Sequence, residues 1–375
     1  MIRYFDNNAT TQMERDLAEL MTNLCEEEYA NPNSMHSFGV KQARRLEEAR
    51  ERVARCLSVD PREIFFTSCA TETINWILRS SVFFRGKRKK IVTTSIEHKA
   101  VLNTLRDLKT ISNIEYHAVS PESDGIVSVD RLLNEVDDET FLVSVMAANN
   151  VTGSIQPYEE IGKALRERGV PYHVDAVQTI GKIPFNLQKG FCDYASFSAH
   201  KFHGPKGVGI AFVKRGSPIK PFITGGGQER GMRAGTQNVP GALVTSIAMQ
   251  RAVENMDTSS RRLRDFQQQI VESVKALGGA VNTPEDSVSN TVNASFAGIR
   301  SEVLVNALSE EGVYLGTSSA CSSRSDGGQY VLNEMGIDPS LASCSIRISM
   351  SRFTTEEDVA VLIEKLKKTV PLLKF

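Results

Sequence analysis

Short apolar runs at residues 64–67 (Ile-Phe-Phe-Thr), 90–93 (Lys-Ile-Val-Thr), 141–146 (Phe-Leu-Val-Ser-Val-Met) and 170–174 (Val-Pro-Tyr-His-Val) recur through the chain, separated by longer amphipathic stretches. Strands that are apolar along their whole length are covered on both faces, and strands that alternate with helices lie in a parallel sheet. The pattern therefore constrains the chain to an α/β architecture, a mainly parallel sheet with helices packed around it. Helical spacing is clear in 39–57, where Leu46, Ala49, Val53 and Cys56 follow at three- and four-residue steps, and again in 158–168. Cys56 lies on that apolar stripe and reads as a core thiol.

The later sequence has a different texture. A helical pattern over 239–255 and a charged one over 258–277, closed by Gly278-Gly279, lead into a strand-like 290–296, a helix over 301–311, a strand at 345–349 and a last helix over 355–370. This reads as a smaller α+β layer. The expected division is a large domain at 14–255 and a small one built from 1–13 and 256–375, which a chain of 375 residues with 41% hydrophobic side chains can support.

With 44 basic against 45 acidic residues, no overall field recruits nucleic acid or an anionic membrane. The basic run Arg85-Gly86-Lys87-Arg88-Lys89-Lys90 reads as a solvated loop entering a strand. The amino terminus lacks a basic segment followed by an apolar one, and no stretch has the apolar length of a membrane helix, so a cytoplasmic protein is expected. Six cysteines are spread without a C-x-x-C pair, which argues for free thiols rather than a zinc ribbon or disulfide framework.

Lys201 lies between His200 and His203, after the apolar stretch 192–197 and before Gly204-Pro205-Lys206-Gly207. An amine becomes nucleophilic when burial or a nearby cation lowers its pKa, so this setting suits a Schiff-base lysine; on this segment alone a solvated loop lysine is the competing reading. Asp175 closes the run 170–174, where an open α/β sheet gathers ligands. A carboxylate there can keep a pyridinium nitrogen protonated, although a helix N-cap looks the same in sequence. With Lys201 on the next strand, the cofactor reading is favoured. Thr67-Ser68-Cys69-Ala70-Thr71-Glu72 offers backbone donors and hydroxyls for a phosphate at a helix start, and is equally compatible with Ser68 and Thr71 as caps. His98 and Asn149-Asn150 sit beyond two further strands, where a flat imidazole can stack on a ring or move a proton, although a lone histidine is more often structural.

The glycine-rich stretch 224–236 does not match a dinucleotide fingerprint, and 204–207 does not match a Walker loop. His200 and His203 have no carboxylate or thiol within one turn as a third ligand, so no metal site is expected.

Read in order, Asp6-Asn7-Asn8-Ala9-Thr10-Thr11, Asn31-Pro32-Asn33-Ser34-Met35-His36, Ala70-Thr71-Glu72, Ile96-Glu97-His98, His173-Val174-Asp175-Ala176-Val177-Gln178, His200-Lys201 and Gly231-Met232-Arg233-Ala234-Gly235-Thr236 resemble the cysteine desulfurases over nearly the whole chain. These belong to the class V aminotransferase group of pyridoxal-phosphate enzymes. The resemblance implies fold type I, with a mainly parallel seven-stranded sheet flanked by helices and a smaller α+β domain. It also implies a homodimer that takes sulfur from L-cysteine, leaving L-alanine, and passes it to a protein such as an iron–sulfur scaffold or to tRNA thiolation.

By the same resemblance Lys201 anchors the cofactor, Asp175 pairs with its ring nitrogen and His98 stacks on the ring and serves near the sulfur. Ala70, Thr71, Ser198 and His200 hold the phosphate, Gln178 and Asn150 contact the ring hydroxyl or substrate, and Thr236 reaches the neighbouring subunit's phosphate. Arg347 clamps the substrate carboxylate, a task a guanidinium fork suits. Cys321, in the small-and-polar stretch 317–329, attacks the substrate sulfur and carries it as a persulfide. Val151 stands where the family usually has glutamate, Cys69 where it has glycine, and the segment after Cys321 also departs from the common pattern. Selenocysteine lyase or another class V aminotransferase is the alternative.

Overall fold

The computed structural model describes residues 2–317 and 328–374, so Cys321 lies outside the described residues. The strands are β1 (Arg3–Phe5), β2 (Ile64–Thr67), β3 (Lys90–Thr94), β4 (Glu115–Val119), β5 (Thr140–Met146), β6 (Tyr172–Asp175), β7 (Tyr194–Ser198), β8 (Gly209–Val213), β9 (Ala280–Val281), β10 (Thr291–Ser295), β11 (Val313–Thr317) and β12 (Ser345–Ser349). Seven of them form one sheet in the order β2-β8-β7-β6-β5-β3-β4. Pairing is parallel from β7 through β4, and β8 alone runs against both its neighbours. The mainly parallel seven-stranded sheet expected of the chain is present.

Every residue of β5, β6 and β7 is buried, as continuous apolar runs require. The polar exceptions satisfy one another across the strands. His173 on β6 is hydrogen-bonded through Nδ1 to Ser144 Oγ on β5 and through Nε2 to Ser196 Oγ on β7, both at 2.8 Å. Burial drives its pKa down to about 3, so the ring is a neutral link in the sheet.

The second sheet has the order β1-β11-β12-β10-β9, with β1 parallel to β11 and the other pairs antiparallel. Each sheet has its own apolar core. Leu46, Ala49 and Val53 of the helix Ser37–Leu57 meet Val143, Val145 and Phe197 of the large sheet together with Leu243 and Val244 of the helix Val239–Glu254. Phe5, Val292, Ile346 and Ile348 of the small sheet pack with Leu362 and Leu366 of the helix Glu356–Leu373. Thr355 and Asp358 form a capping box at the start of that last helix, which fixes its first turn.

The basic run at 85–90 is solvated only in part. Lys90 opens β3, is 7% exposed, and pairs its Nζ with Asp137. A long aliphatic stem lets a lysine enter a strand while its charge reaches a carboxylate at the sheet's end.

A buried ion pair ties the glycine-rich stretch to the large sheet. Arg50, 2% exposed, makes two 2.8 Å bonds to the Glu229 carboxylate and donates to the Ile64 carbonyl, while Phe66 N donates to Glu229 Oε2. Both partners thus grip β2, which leads directly into the turn at 68–69. Because an orphaned charge would stay buried, Glu229→Ala is expected to cost about 3–5 kcal/mol in denaturant unfolding. A loss under 1 kcal/mol would show that the pair does not hold β2.

Candidate active site

In a parallel sheet every strand's carboxyl end lies on one edge, and the residues singled out by sequence leave from that edge. His98 follows β3, Asn150 follows β5, Asp175 is the last residue of β6 and Ser198 the last of β7. Lys201 is not on a strand, as the sequence reading had it, but closes the single helical turn Ala199–Lys201 after β7. Ala70 and Thr71 begin the helix Ala70–Ser81 beyond β2, and Arg347 comes from β12 of the other sheet. Ala70, Thr71, His98, Asn150, Asp175, Gln178, Ser198, His200, Lys201 and Arg347 all line one cavity of ≈ 380 Å³. Thr236 does not line it and is exposed.

Desolvation governs the titrating groups. Burial lowers the Lys201 amine to about 8; Arg347 pushes in the same direction, and Asp6 and Asp175 oppose it. Burial raises the Asp175 carboxyl above its ordinary value, opposed by His98, by the Val177 N–H on Asp175 Oδ1 at 3.0 Å and by Lys201. Burial holds His98 below 6.5 against the pull of Asp175, and its Nδ1 accepts from Ala100 N at 3.1 Å. A neutral imidazole at neutral pH follows. His200 is likewise lowered to about 4 by burial and then by Lys201 and Lys206.

The phosphate end differs from the capping box that the sequence allowed. The helix Ala70–Ser81 begins at Cys69, which makes no side-chain cap; instead the Glu72 carboxylate accepts from Ser68 N at 2.8 Å and pairs with Arg233. The first-turn N–H groups of Ala70 and Thr71 therefore lie at the cavity without a competing side-chain acceptor at the cap. The turn is held close to β8, since a Cβ on Gly209 would sit 2.5 Å from the Cys69 carbonyl carbon. An uncapped helix start with Ser198 and a neutral His200 beside it suits a phosphate, and Asp175 beneath suits a pyridine nitrogen. The residues present fit pyridoxal phosphate.

Several contacts around these residues had no role assigned from the sequence. Asn8 and Ala9 line the cavity, and their carbonyls accept from Lys201 Nζ at 2.6 and 2.8 Å. Arg347 bonds Asp6 Oδ1 at 2.5 Å and the Asn150 carbonyl at 3.3 Å, while its buried Nε makes no hydrogen bond. Glu97 is fully buried; its carboxyl is raised by burial to about 8 and accepts from Thr94 Oγ1 and Met146 N. His203, without a role in the sequence reading, donates through Nδ1 to the Gln12 carbonyl at 2.7 Å and stacks edge-on against Phe353. The amino-terminal motif gave a signal for Asn8, but its nearness to Lys201 depends on a contact across 193 residues. Val151 is buried with Ile96, Val331 and Leu332, a setting that rewards an apolar side chain.

The family model described as Aminotransferase class-V matches residues 3–362. A cysteine desulfurase of Nostoc sp. is 38% identical over 378 residues, covering 99% of this chain and 93% of that protein. A solved structure of a NifS-like protein is 45% identical with a TM-score of 0.94, covering 99% of this chain and 100% of the other. The structure titled "SspA in complex with cysteine" is 30% identical with a TM-score of 0.81, covering 94% of this chain and 99% of that one.

An amine is reactive only when neutral, and a folded-state pKa of about 8 means that the neutral fraction of Lys201 grows as pH rises through that value. Labelling of Lys201 by a small aldehyde with borohydride, located by mass spectrometry in cofactor-free protein, is expected to show a midpoint near 8. Arg347→Gln removes a cation that pushes the value down and moves the midpoint upward. A wild-type midpoint at the ordinary lysine value near ~10.4 would contradict the desolvated site.

Proposed function

We infer that this chain, which belongs to the class-V aminotransferase family, is a pyridoxal-phosphate-dependent cysteine desulfurase. The observation that carries the reading is the convergence of Lys201, Asp175, His98 and Arg347 on one desolvated cavity, the first three from the carboxyl edge of the large sheet and Arg347 from the middle of β12 in the small one. Pyridoxal phosphate, when bound, supplies an electron sink that makes the substrate's α-C–H acidic.

The chain's own residues do the rest. Ala70, Thr71, Ser198 and His200 hold the phosphate, Asp175 keeps a proton on the ring nitrogen, and His98 lies against the ring. Gln178 and Asn150 meet the ring hydroxyl and the substrate. Arg347, with its Nε unsatisfied, takes the carboxylate of L-cysteine in a forked contact. Lys201 anchors the cofactor and then, as a neutral amine, takes the α-proton. Cys321 attacks the substrate sulfur as a thiolate, forming an S–S bond as the substrate C–S bond breaks. The electron pair returns to the substrate carbon, which leaves as L-alanine after protonation, and His98 handles a proton at that sulfur.

The persulfide on Cys321 would then pass to an acceptor such as an iron–sulfur scaffold or a tRNA-thiolation protein. A homodimer is part of this reading. The exposed Thr236 would meet the neighbouring copy's phosphate, and the exposed Phe222 and Ile223 on the same stretch offer apolar contact area. Among the described residues no helix is long and apolar enough to cross a membrane, and the cysteines carry no disulfide, which supports work in a reducing cytoplasm.

After incubation with L-cysteine and a thiol trap, mass spectrometry is expected to find one added sulfur on Cys321. Cys321→Ala should lower alanine release by about 100-fold or more while the cofactor's visible absorption stays, because only the sulfur acceptor has been removed. Undiminished turnover in Cys321→Ala would instead favour a lyase that needs no thiol nucleophile. Lys201→Ala should lose both turnover and the visible band, which separates cofactor anchoring from sulfur transfer.

A further inference from the structure

Lys182 is a cation without an evident counter-ion. It forms no ion pair among the described residues, and burial, followed by the nearby cations Lys201 and Arg347, lowers its amine to about 7. Its Nζ donates instead to two side-chain amide oxygens, Gln178 Oε1 and, at 3.1 Å, Asn8 Oδ1. A desolvated ammonium beside like charges is costly, so the contacts it makes have to be asked for their purpose.

In its protonated form Lys182 carries donors only, so an amide facing it then presents its oxygen, as both amides do here. For Gln178 that settles the amide's sense: Oε1 points to Lys182 and the NH₂ group points away. One of the two amide hydrogens goes to the Asn8 carbonyl at 3.3 Å, and the other is left for the cavity that Gln178 lines. The same logic orders Asn8. Its Oδ1 receives Lys182 and Asn290 Nδ2 at 3.1 Å each, so its Nδ2 is turned to Thr291 Oγ1 at 2.8 Å and to the Asn150 carbonyl at 3.2 Å. Its main-chain carbonyl, held by those contacts, is the one that meets Lys201 at 2.6 Å.

We propose that Lys182 is a positioning residue that fixes the orientation of the Gln178 and Asn8 amides, so that the cavity presents a donor to an oxyanion on the ring of the bound cofactor. The proposal rests on the pyridoxal-phosphate reading given above. Without Lys182 the Gln178 amide is held in that sense only by its long 3.3 Å bond to the Asn8 carbonyl, and an amide that turns over sets an acceptor against an anionic ring oxygen. Lys182 touches neither substrate nor cofactor in this role; it acts through Gln178.

A double-mutant cycle on the full-length protein tests this. Pyridoxal phosphate affinity and the position of its visible band are measured by absorbance titration for wild type, Lys182→Met, Gln178→Ala and the double variant, with thermal melts as the control for folding. Methionine keeps the length of the stem, so no cavity opens. Lys182→Met is expected to weaken cofactor binding by about tenfold and to move the band, yet to change the affinity of Gln178→Ala by less than about twofold. Equal losses in both backgrounds, or no loss in either, would overturn the proposal. Gln178→Glu provides a variant that leaves Lys182 in place: it keeps an oxygen on Lys182 and turns a second oxygen to the ring, so it should bind the cofactor at least about tenfold more weakly. Wild-type affinity in that variant would also count against the proposal. A wild-type band that depends on Lys201 keeps the parent reading intact whatever the cycle gives, whereas the absence of any such band removes the parent reading itself.

Discussion

Much of the architecture turns on a short strip of chain, residues 6–11, that has to run between the two sheets while keeping its polar backbone satisfied. Asn7 and Asn8 bind Ser349 at the end of β12 through Asn7 N, Asn7 Nδ2 and Asn8 N, and Thr11 bonds the His200 carbonyl through both N and Oγ1. Between those anchors the carbonyls of Asn8 and Ala9 face Lys201. One strip therefore sets the distance between the edge that carries Asp175 and Lys201 and the strand that carries Arg347. Buried polar networks are costly when half made, and this one is closed at both ends, which is why it can serve as a rigid bridge.

The charges around the cavity follow from that closure. Lys201 and His98 are pushed toward their neutral forms, and Asp175 and Glu97 toward their protonated forms, all with burial as the first cause. An amine that is partly neutral near neutral pH can act on a carbonyl or a proton, and a neutral imidazole can lie flat on a ring without repelling its cationic nitrogen. The site does not need a metal to adjust these groups. Low dielectric and a few fixed charges are sufficient causes.

The sequence carried the α/β layering because apolar runs at strand length and helical spacing between them are local signals. Strand ends were legible for the same reason: β2 and β12 fall on the residues that the runs marked, and Asp175 closes β6. The backbone after β7 was less legible, since the single turn Ala199–Lys201 is too short to show periodicity. At the start of the helix Ala70–Ser81 the sequence left the cap open, because Ser68 and Thr71 are good capping types, whereas the structure draws Glu72 to Ser68 N and Arg233. The amino-terminal motif marked Asn8 without its role, and Lys182 had no local signal of any kind. Each role exists only once residues from distant parts of the chain meet, and a polar side chain in a loop looks alike in sequence whether it is solvated or buried.

The two sheets divide the chemistry between them. The large sheet's carboxyl edge gathers the groups suited to a cofactor, whereas the small sheet brings the groups that decide what is done with it. In the register of β11 against β12, Gly316 lies opposite Arg347 and Thr317 opposite Ile346, so the chain leaves β11 alongside the guanidinium proposed to hold the substrate carboxylate. Cys321 comes four residues after Thr317, and four residues of even fully extended chain span no more than about 14 Å. In the proposed mechanism, a nucleophile that follows β11 by so few residues gains the advantage of proximity from a part of the sequence separate from the cofactor's proposed ligands. The same covalent link would let the sulfur leave attached to the chain, as the sulfur transfer proposed above requires of Cys321.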